Sequence, residues 1–488
     1  MRIVLISKRL IKMSEEINHN CGLCVVNTLH DAYSFIKSLQ HRGREAVGIA
    51  AVSEDRIDVI KWKGVADDFD LTDLHKIFAN HDFRLFMAHV RYATRGRKDK
   101  ILEDAHPHVI GGKAEDRGSH IIITDCEMAA VHNGQVNEEY FSDMDKSMLR
   151  TGCDSEALIH FFREHGENNF LRRIPGSYTI AIADKRRKGI VVMRDGSGIK
   201  PGVLGWKDGR FGIASEDIAF RKNGGEVTED LEPGTVYYLG LDGRYTKLKI
   251  VAPQIKHCFF EWNYLADVDS VLNGASVRSI RRNLGEILAE EFIPEDADLV
   301  TFLPRCPEVA ATSYAATTKI PFEYVFYKMK AERAFQGSTN SERRTSIDRN
   351  LYILPEIRDS LRGKTIVLID DSTVRGNNIK KAGQLLHEAG VSKIYHLNYT
   401  PPLCIIGKDG IARGCFYGVD MPPNASEDDR YAARSEDGTR NRTIDEISEE
   451  IGAQVHYISR EGMFGAYERL GIPRENLCTF CIGGQKPF

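Results

Sequence analysis

Residues 364–376 read Lys-Thr-Ile-Val-Leu-Ile-Asp-Asp-Ser-Thr-Val-Arg-Gly. The run 365–369 is rich in aliphatic and β-branched residues, as expected of a buried strand, and the carboxylates Asp370 and Asp371 follow it. A turn with hydroxyls and a glycine comes next, and a helical pattern begins at Ile379. A strand, an acidic pair, such a turn and a helix N-terminus together predict a phosphate-binding loop with an edge that binds a diol.

The segment around this loop alternates between helical and strand patterns. This alternation predicts a parallel sheet with crossover helices, because parallel neighbours need a long connection. The polar stretch 424–442 is typical of a surface loop or a loosely held helix, and we expect a last helix after it. The predicted helices are 277–291, 308–317, 379–390 and 444–452, and the predicted strands are 298–302, 365–369 and 393–398.

Residues 22–250 have a different pattern, with short apolar runs separated by glycines. Strands at this density predict antiparallel sheets that pack on one another or on helices. The change of pattern places a domain boundary near residues 250–260. The predicted strands are 23–26, 85–90, 120–124, 178–183, 189–193 and 235–239, with a helix around 32–39.

Length and composition agree with a two-domain protein. The 488 residues exceed the usual limit of one hydrophobic core. A net charge of −4 gives no electrostatic reason to expect nucleic acid or a membrane surface as a partner. The apolar run at residues 3–6 is too short for a signal peptide, so we expect a cytoplasmic protein. In a reducing compartment the ten cysteines favour metal binding or catalysis over disulfides.

A Cys-Gly pair, Cys21-Gly22, begins the β-rich half, and four sequence blocks follow it at wide spacing. The blocks are Leu-Gln-His-Arg-Gly-Arg-Glu-Ala-Val-Gly-Ile at 39–49, His-Val-Arg-Tyr-Ala-Thr at 89–94, His-Asn-Gly at 132–134 and Asp-Ser-Glu at 154–156. Together they resemble the N-terminal-nucleophile glutaminase domain of the purine-biosynthetic amidophosphoribosyltransferases. The resemblance implies an α+β N-terminal-nucleophile hydrolase sandwich over residues 21–255, behind a leader at residues 1–20.

The chemistry of glutamine hydrolysis fits these residues. A thiolate is a strong nucleophile, and a cysteine at a free N-terminus has its own α-amine, with a pKa of about 7.7–8.0, as a base. Cys21 gains that amine only after cleavage between residues 20 and 21. The Asn133 amide and the Gly134 N–H suit a developing oxyanion. The resemblance assigns Arg91 and Asp154 to the α-carboxylate and α-ammonium of glutamine.

Each of these residues also has an ordinary structural interpretation. Arg91 could form a surface ion pair. Asn133-Gly134 alone is typical of a hairpin turn. Asp154 could cap a helix over residues 155–162.

The loop at 370–376 resembles the phosphoribosylpyrophosphate loop of type I phosphoribosyltransferases. The resemblance implies an α/β type I phosphoribosyltransferase domain over residues 256–488, in which Asp370 and Asp371 serve the ribose hydroxyls and Mg²⁺. The rest of the loop would hold the 5′-phosphate, namely Ser372, Thr373, Arg375 and Gly376. Two further blocks support it, at 260–270 and 343–347.

Four cysteines match those that hold an iron–sulfur cluster in the bacillus-type branch of the same family. The resemblance implies a structural 4Fe-4S cluster on Cys258, Cys415, Cys478 and Cys481. A zinc site and four unrelated core cysteines are the other interpretations. The remaining five are expected to be structural: Cys24, Cys126, Cys153, Cys306 and Cys404.

The second half departs from the family pattern at several points. The family's Pro-Asp-Ser-Gly stretch reads Pro-Arg-Cys-Pro at 304–307, and thiols are poor ligands of Mg²⁺. Asn377 and Asn378 replace paired threonines, the flexible flag after Lys328 matches loosely, and Asp348 replaces a basic residue. These changes weaken the expectation of a phosphoribosylpyrophosphate site more than that of a glutamine site.

The sequence therefore predicts a glutamine phosphoribosylpyrophosphate amidotransferase that forms 5-phosphoribosylamine and assembles as a homo-oligomer. One alternative is a related amidotransferase with a different phosphorylated acceptor. The other is a non-catalytic, nucleotide-sensing protein.

Overall fold

The fold is described from a computed structural model of the chain. The structure describes residues 21–92, 100–141, 144, 146–328, 351–419, 421–423 and 430–488. The proposed leader at 1–20 and the flag residues after Lys328 lie outside the described residues, as do Asp348 and the block at 343–347.

The first half contains one 13-stranded sheet, ordered β11-β9-β10-β1-β4-β2-β3-β6-β7-β8-β12-β13 with β5 beside β6. Each pair of neighbours is antiparallel. The strands are β1 Gly22–Val26, β2 Ala46–Val52, β3 Ile57–Lys63, β4 Leu85–Arg91, β5 His108–Asp116, β6 His120–Gln135, β7 Ser177–Asp184, β8 Gly189–Arg194, β9 Val203–Lys207, β10 Arg210–Ala214, β11 Glu226–Asp230, β12 Thr235–Gly240 and β13 Tyr245–Lys249.

This sheet folds back so that its two halves enclose an apolar core. Leu23 and Met87 from one half share that core with Ala181 and Val192 from the other. Two more cores lie under α1 and under α3, which gives the helix–sheet–sheet–helix layers of the sandwich predicted from the sequence. The helices are α1 Leu29–Ser38, α2 Leu71–Ile77, α3 Asp154–Arg173 and α4 Ile218–Arg221.

The second half is built on a parallel sheet in the order β17-β20-β21-β22, as the alternating pattern predicted. Its helices are α5 Val277–Glu291, α6 Glu308–Thr318, α7 Pro355–Arg358, α8 Asn377–Glu388, α9 Ile444–Ile451 and α10 Arg460–Glu468. Its strands are β14 His257–Cys258, β15 Val271–Leu272, β16 Ala275–Ser276, β17 Leu299–Phe302, β18 Phe326–Lys328, β19 Leu351–Ile353, β20 Thr365–Asp370, β21 Lys393–Asn398, β22 Gln454–Tyr457 and β23 Leu477–Cys478.

One prediction for the C-terminal part is wrong, and a second holds only in part. The helix near 444–452 is not the last one, because β22 and α10 follow it. Glycines 462 and 465 weaken the helical pattern of α10, yet a Cβ on Gly462 would lie 2.1 Å from the Glu291 side chain, so close packing on α5 explains that glycine. The polar stretch at 424–442 is only partly the predicted surface loop: residues 436–441 are exposed, whereas Tyr431 and Arg434 are buried. Residues 424–429 lie outside the described residues.

Among the described helices, none is both long enough and apolar enough to cross a membrane.

Candidate active sites

The first candidate site is a cavity lined mainly by residues of the β-rich half. The five residues predicted to bind and hydrolyse glutamine all line it: Cys21, Arg91, Asn133, Gly134 and Asp154. Cys21 directly precedes β1, and Arg91 ends β4, the antiparallel neighbour of β1. Residues that are distant in sequence meet here because three strand ends and the start of α3 converge.

Cys21 is half-buried and lies among cations. Burial raises the pKa of its thiol, while the charges of Arg91, Lys200 and Arg42 oppose that rise. Its Sγ lies 4.0 Å from the Tyr92 carbonyl oxygen, and its own carbonyl oxygen accepts a hydrogen bond of 3.0 Å from Arg42 Nε. The thiol is therefore held in place, but it needs a nearby base to become a thiolate at neutral pH.

Asn133 and Gly134 lie inside β6, so the hairpin interpretation is wrong. Gly134 lies opposite Tyr178 on β7. The Tyr178 N–H donates to Asp195 Oδ2, and the Tyr178 carbonyl oxygen accepts from the Asp195 N–H, so neither group is directed at Gly134. Because Gly134 and Tyr178 exchange no ladder hydrogen bonds, the Gly134 N–H faces away from β7. A Cβ at position 134 would lie 2.0 Å from the Ser177 carbonyl oxygen, so only glycine fits there.

The ordinary interpretations of Arg91 and Asp154 are also wrong. Arg91 is only 4% exposed, so it is not a surface residue. Cys153 occupies the N-cap position of α3, and Asp154 is the first helical residue. The Asp154 Oδ2 atom instead accepts a hydrogen bond of 2.8 Å from the Val136 N–H, which ties the start of α3 to the chain just after β6.

A group of buried histidines behind Cys21 was not predicted from the sequence. His89 Nε2 donates to the His132 carbonyl oxygen at 3.0 Å, and His89 Nδ1 lies 3.3 Å from His106 Nδ1. Burial lowers the pKa of His89 to about 3 and that of His106 well below its ordinary value, so both rings are neutral. Ligand atoms of Cys21, His89 and His106 lie within 4.8 Å of one another. The Ala-His-Pro-His run at 105–108 was the available signal.

The second candidate site is an open cavity at the carboxyl end of β20. It is lined by the whole predicted loop, namely Asp370, Asp371, Ser372, Thr373, Arg375 and Gly376. Gly376 has φ +83°, a left-handed conformation that glycine adopts without strain, and it is the N-cap of α8. The first N–H groups of α8 and the residues Asn377 and Asn378 therefore border the cavity.

The polar side chains of the loop have different surroundings. The Ser372 hydroxyl donates to Asp371 Oδ2 at 2.6 Å and orients that carboxylate. The Thr373 hydroxyl is turned inward, because it donates to Asn398 Oδ1 at 2.8 Å. The Thr373 side chain therefore anchors the loop, and only the Thr373 backbone is left to contact a ligand.

The two aspartates are buried side by side. Burial and the neighbouring carboxylate raise the pKa of Asp370 well above its ordinary value, and burial raises the pKa of Asp371 to about 6. Adjacent buried carboxylates are costly unless a cation joins them, so this pair fits a divalent ion. Cys306, which departs from the family pattern, donates its thiol to the Tyr264 carbonyl oxygen at 3.4 Å.

The four predicted cluster cysteines are all buried. Cys258 and Cys478 face each other in the parallel pair β14–β23, and the Val419 N–H donates to the Cys415 sulfur at 3.3 Å. Burial and the neighbouring thiols raise the pKa of Cys258 and Cys481 well above the ordinary value. Each thiol's neighbours thus include others of the set, which disfavours four unrelated core cysteines. Four buried thiolates could hold either a zinc ion or an iron–sulfur cluster.

Comparison with known proteins gives consistent matches. Residues 113–222 match a glutamine amidotransferase domain family. The amidophosphoribosyltransferase of Archaeoglobus fulgidus is 30% identical over 474 residues, which cover 93% of this chain and 94% of that protein. The amidophosphoribosyltransferase of Methanothermobacter thermautotrophicus is 30% identical over 498 residues and covers 97% of this chain and 95% of its own.

A solved structure is similar over nearly the whole chain. It is the glutamine phosphoribosylpyrophosphate amidotransferase from B. subtilis in complex with ADP and GMP, with a TM-score of 0.76 and 25% identity. The similarity covers 96% of this chain and 97% of that one.

Proposed function

Because the chain belongs to the amidophosphoribosyltransferase family, we propose that Cys21 is the nucleophile of its glutamine-dependent reaction and that the loop at 370–376 binds the acceptor. Members of this family form 5-phosphoribosylamine from glutamine and phosphoribosylpyrophosphate, the first step of purine biosynthesis. We assign the glutaminase to residues 21–255 and the acceptor domain to residues 256–488. The last strand of the large sheet ends at Lys249 and the next strand begins at His257, which supports this division.

The first half-reaction takes place around Cys21. Once the leader is removed, the α-amine of Cys21 accepts the thiol proton, and the thiolate attacks the side-chain carbonyl carbon of glutamine. The tetrahedral intermediate collapses to a glutamyl thioester, and ammonia leaves with the proton from the α-ammonium group. Water then hydrolyses the thioester to glutamate. Arg91 and Asp154 orient glutamine through its α-carboxylate and α-ammonium groups.

The oxyanion of the intermediate is stabilised by Asn133 and Gly134. Asn133 Nδ2 makes only a long contact of 3.4 Å with Ser215 Oγ, and its Oδ1 has no hydrogen-bond partner among the described residues. If the amide turns by 180°, Oδ1 accepts the Ser215 hydroxyl proton and Nδ2 takes the former position of Oδ1. The turned amide and the Gly134 N–H then supply the two donors that an oxyanion hole needs.

The second half-reaction takes place at the loop 370–376. The N–H groups at the start of α8 hold the 5′-phosphate, and Asp370 and Asp371 bind the ribose hydroxyls. Mg²⁺ bound at these carboxylates would neutralise charge on the departing pyrophosphate. Ammonia attacks C1 of the ribose, the bond from C1 to the pyrophosphate oxygen breaks, and phosphoribosylamine forms. The poor match at Cys306 does not remove these two carboxylates.

We propose that Cys258, Cys415, Cys478 and Cys481 hold a 4Fe-4S cluster. The support is their burial and their mutual proximity. A cluster here would tie the residues just after the large sheet to the C-terminal segment, so metal binding would add to the free energy of folding. A homo-oligomer and a cytoplasmic location remain predictions from the sequence, which light scattering and cell fractionation would test.

The observation that carries the glutaminase assignment is the meeting of Cys21, Arg91, Asn133, Gly134 and Asp154 in one cavity. The test is an assay of iron-loaded protein with glutamine and phosphoribosylpyrophosphate, together with the mass of the mature chain. We expect Cys21 at the N-terminus and pyrophosphate release that depends on glutamine. Cys21→Ser should abolish the glutamine-dependent rate and retain the rate with added ammonium. Active protein that retains residues before Cys21 would refute the processing step.

A further inference from the structure

A group of charged side chains is buried between the two halves of the molecule. Arg42, Lys200 and Glu216 come from the β-rich half and Glu261 from the second half, and each side chain is at most 2% exposed. Taking these charges out of water is unfavourable, and apolar side chains of similar volume would often be as stable or more so. Stability alone therefore gives no reason for this arrangement.

The contacts of the group converge on one guanidinium. Glu261 Oε2 lies 3.1 Å from Arg42 Nη2, although the two residues are 219 positions apart. Glu216 pairs with Arg42 Nη1. The remaining nitrogen, Nε, donates to the carbonyl oxygen of Cys21 at 3.0 Å. All three nitrogens of Arg42 are thus engaged, and two of them are fixed by carboxylates that set how the third meets Cys21.

Glu261 is itself held on its other side. Its Oε1 lies 3.2 Å from Lys200 Nζ, which also donates to the Gly418 carbonyl oxygen at 2.6 Å. Lys200 and Gly418 line the cavity that contains Cys21. The carboxylate of Glu261 therefore lies between two cations: Lys200, which lines the glutamine cavity, and Arg42, which holds the carbonyl of Cys21.

The backbone of Glu261 belongs to the acceptor half. It begins a π-helical turn, Glu261–Leu265, three residues after Cys258. The same turn contains Tyr264, which lines the phosphate cavity. A single turn thus contacts the proposed acceptor site, while one of its side chains reaches the residue that holds Cys21. Such turns are frequent at functional sites.

We propose that Glu261 is a positioning residue for the glutaminase reaction, which acts through Arg42 to fix the backbone of Cys21. In this arrangement the acceptor half completes the glutamine site, because the β-rich half does not itself contain the carboxylate that orients Arg42 Nη2. The inference rests on the proposed role of Cys21 as the nucleophile.

The test is Glu261→Gln in the full-length, iron-loaded protein. The amide keeps the shape and one acceptor but loses the charge that fixes Arg42. Small misplacements of a reacting group can cost about 100-fold in rate. We expect kcat for glutamate release to fall by about 10- to 100-fold. The rate of pyrophosphate release with added ammonium, which does not use Cys21, should stay within about twofold of the original.

Arg42→Lys is the second variant. Lysine keeps the positive charge beside both carboxylates but cannot also donate to the Cys21 carbonyl in the same geometry. As with Glu261→Gln, we expect glutamate release to slow and ammonium-dependent pyrophosphate release to stay unchanged. Combining it with Glu261→Gln should add no further loss, because Glu261 acts through Arg42. The matched control is Lys222→Gln, which removes an exposed ion pair of 3.2 Å with Asp267 across the same boundary. It should leave both rates unchanged.

Three outcomes would overturn the inference: an equal fall of both rates in Glu261→Gln, an unchanged glutaminase in both single variants, or multiplied losses in the double variant. Cys21→Ser separates this failure from failure of the proposed function. If Cys21→Ser still hydrolyses glutamine, the nucleophile assignment fails. If Cys21→Ser is inactive with glutamine while Glu261→Gln and Arg42→Lys are normal, only the positioning role fails.

Discussion

Asn133→Ala gives the sharpest test of the proposed glutaminase chemistry. Removal of one side-chain donor from an oxyanion hole costs about 100- to 1,000-fold in kcat, or about 2.7–4 kcal/mol of transition-state stabilisation. The structure predicts little accompanying loss of folding stability. The contact of the Asn133 amide with Ser215 Oγ is long at 3.4 Å, and the side chain borders a cavity instead of filling a closed core. We expect the free energy of unfolding to change by about 1 kcal/mol or less.

Asn27→Ala is the matched control, and it should behave in the opposite way. Asn27 Nδ2 donates to the Phe211 carbonyl oxygen at 2.8 Å, away from the Cys21 cavity. Its loss should lower the free energy of unfolding by about 1 kcal/mol and leave kcat unchanged. Glutamate release gives kcat and KM, and urea unfolding gives the stability of each variant. A change confined to KM in Asn133→Ala, or a kcat within about tenfold of the original, would refute the oxyanion assignment.

Three further predictions concern metals and pH. Cys478→Ser should abolish the iron–sulfur absorbance and destabilise the fold, and unchanged iron content would contradict the ligand assignment. Zn²⁺ should inhibit glutamate release by binding Cys21, His89 and His106, whose ligand atoms lie within 4.8 Å of one another. A chelator should restore glutamate release. Inhibition that persists in a variant lacking the His106 imidazole would argue against this site. Because burial raises the pKa of Asp371 from 3.8 to about 6, its protonated form favours the folded state, so metal-free protein should lose this stabilisation as pH rises through about 6. Mg²⁺ should therefore raise the melting temperature more at pH 7.5 than at pH 5.5, and an equal effect at both would contradict the assignment.

The sequence predicted the architecture well because both halves have clear local patterns. The alternation of helix and strand around residues 364–376 predicted the parallel sheet, and strands 23–26, 178–183 and 235–239 lie in the large antiparallel sheet. Periodicity failed where packing outweighs propensity. Helix α10 contains two glycines, and its place against α5 depends on contacts that no local pattern encodes.

Short sequence blocks were enough to name the candidate residues, but they did not predict the surroundings of each side chain. From the sequence alone, Arg91 could have been a surface residue and Asn133 a turn residue. The structure shows that Arg91 is buried and that Asn133 lies inside β6. The inward orientation of the Thr373 hydroxyl likewise depends on β21, because Asn398 is its acceptor. Such facts depend on which elements become neighbours.

The sequence by itself was enough to propose the chemistry of this protein, because the thiol of Cys21 and the acidic loop at 370–376 are short local features that can be recognised without the fold. The tertiary structure alone decided how those groups are coupled. Arg42 and Glu261 are 219 positions apart, and their pairing follows from folding two separate cores against each other. The low dielectric of that buried boundary strengthens the charge interactions and makes an unpaired charge costly. These long-range contacts set the surroundings of Cys21.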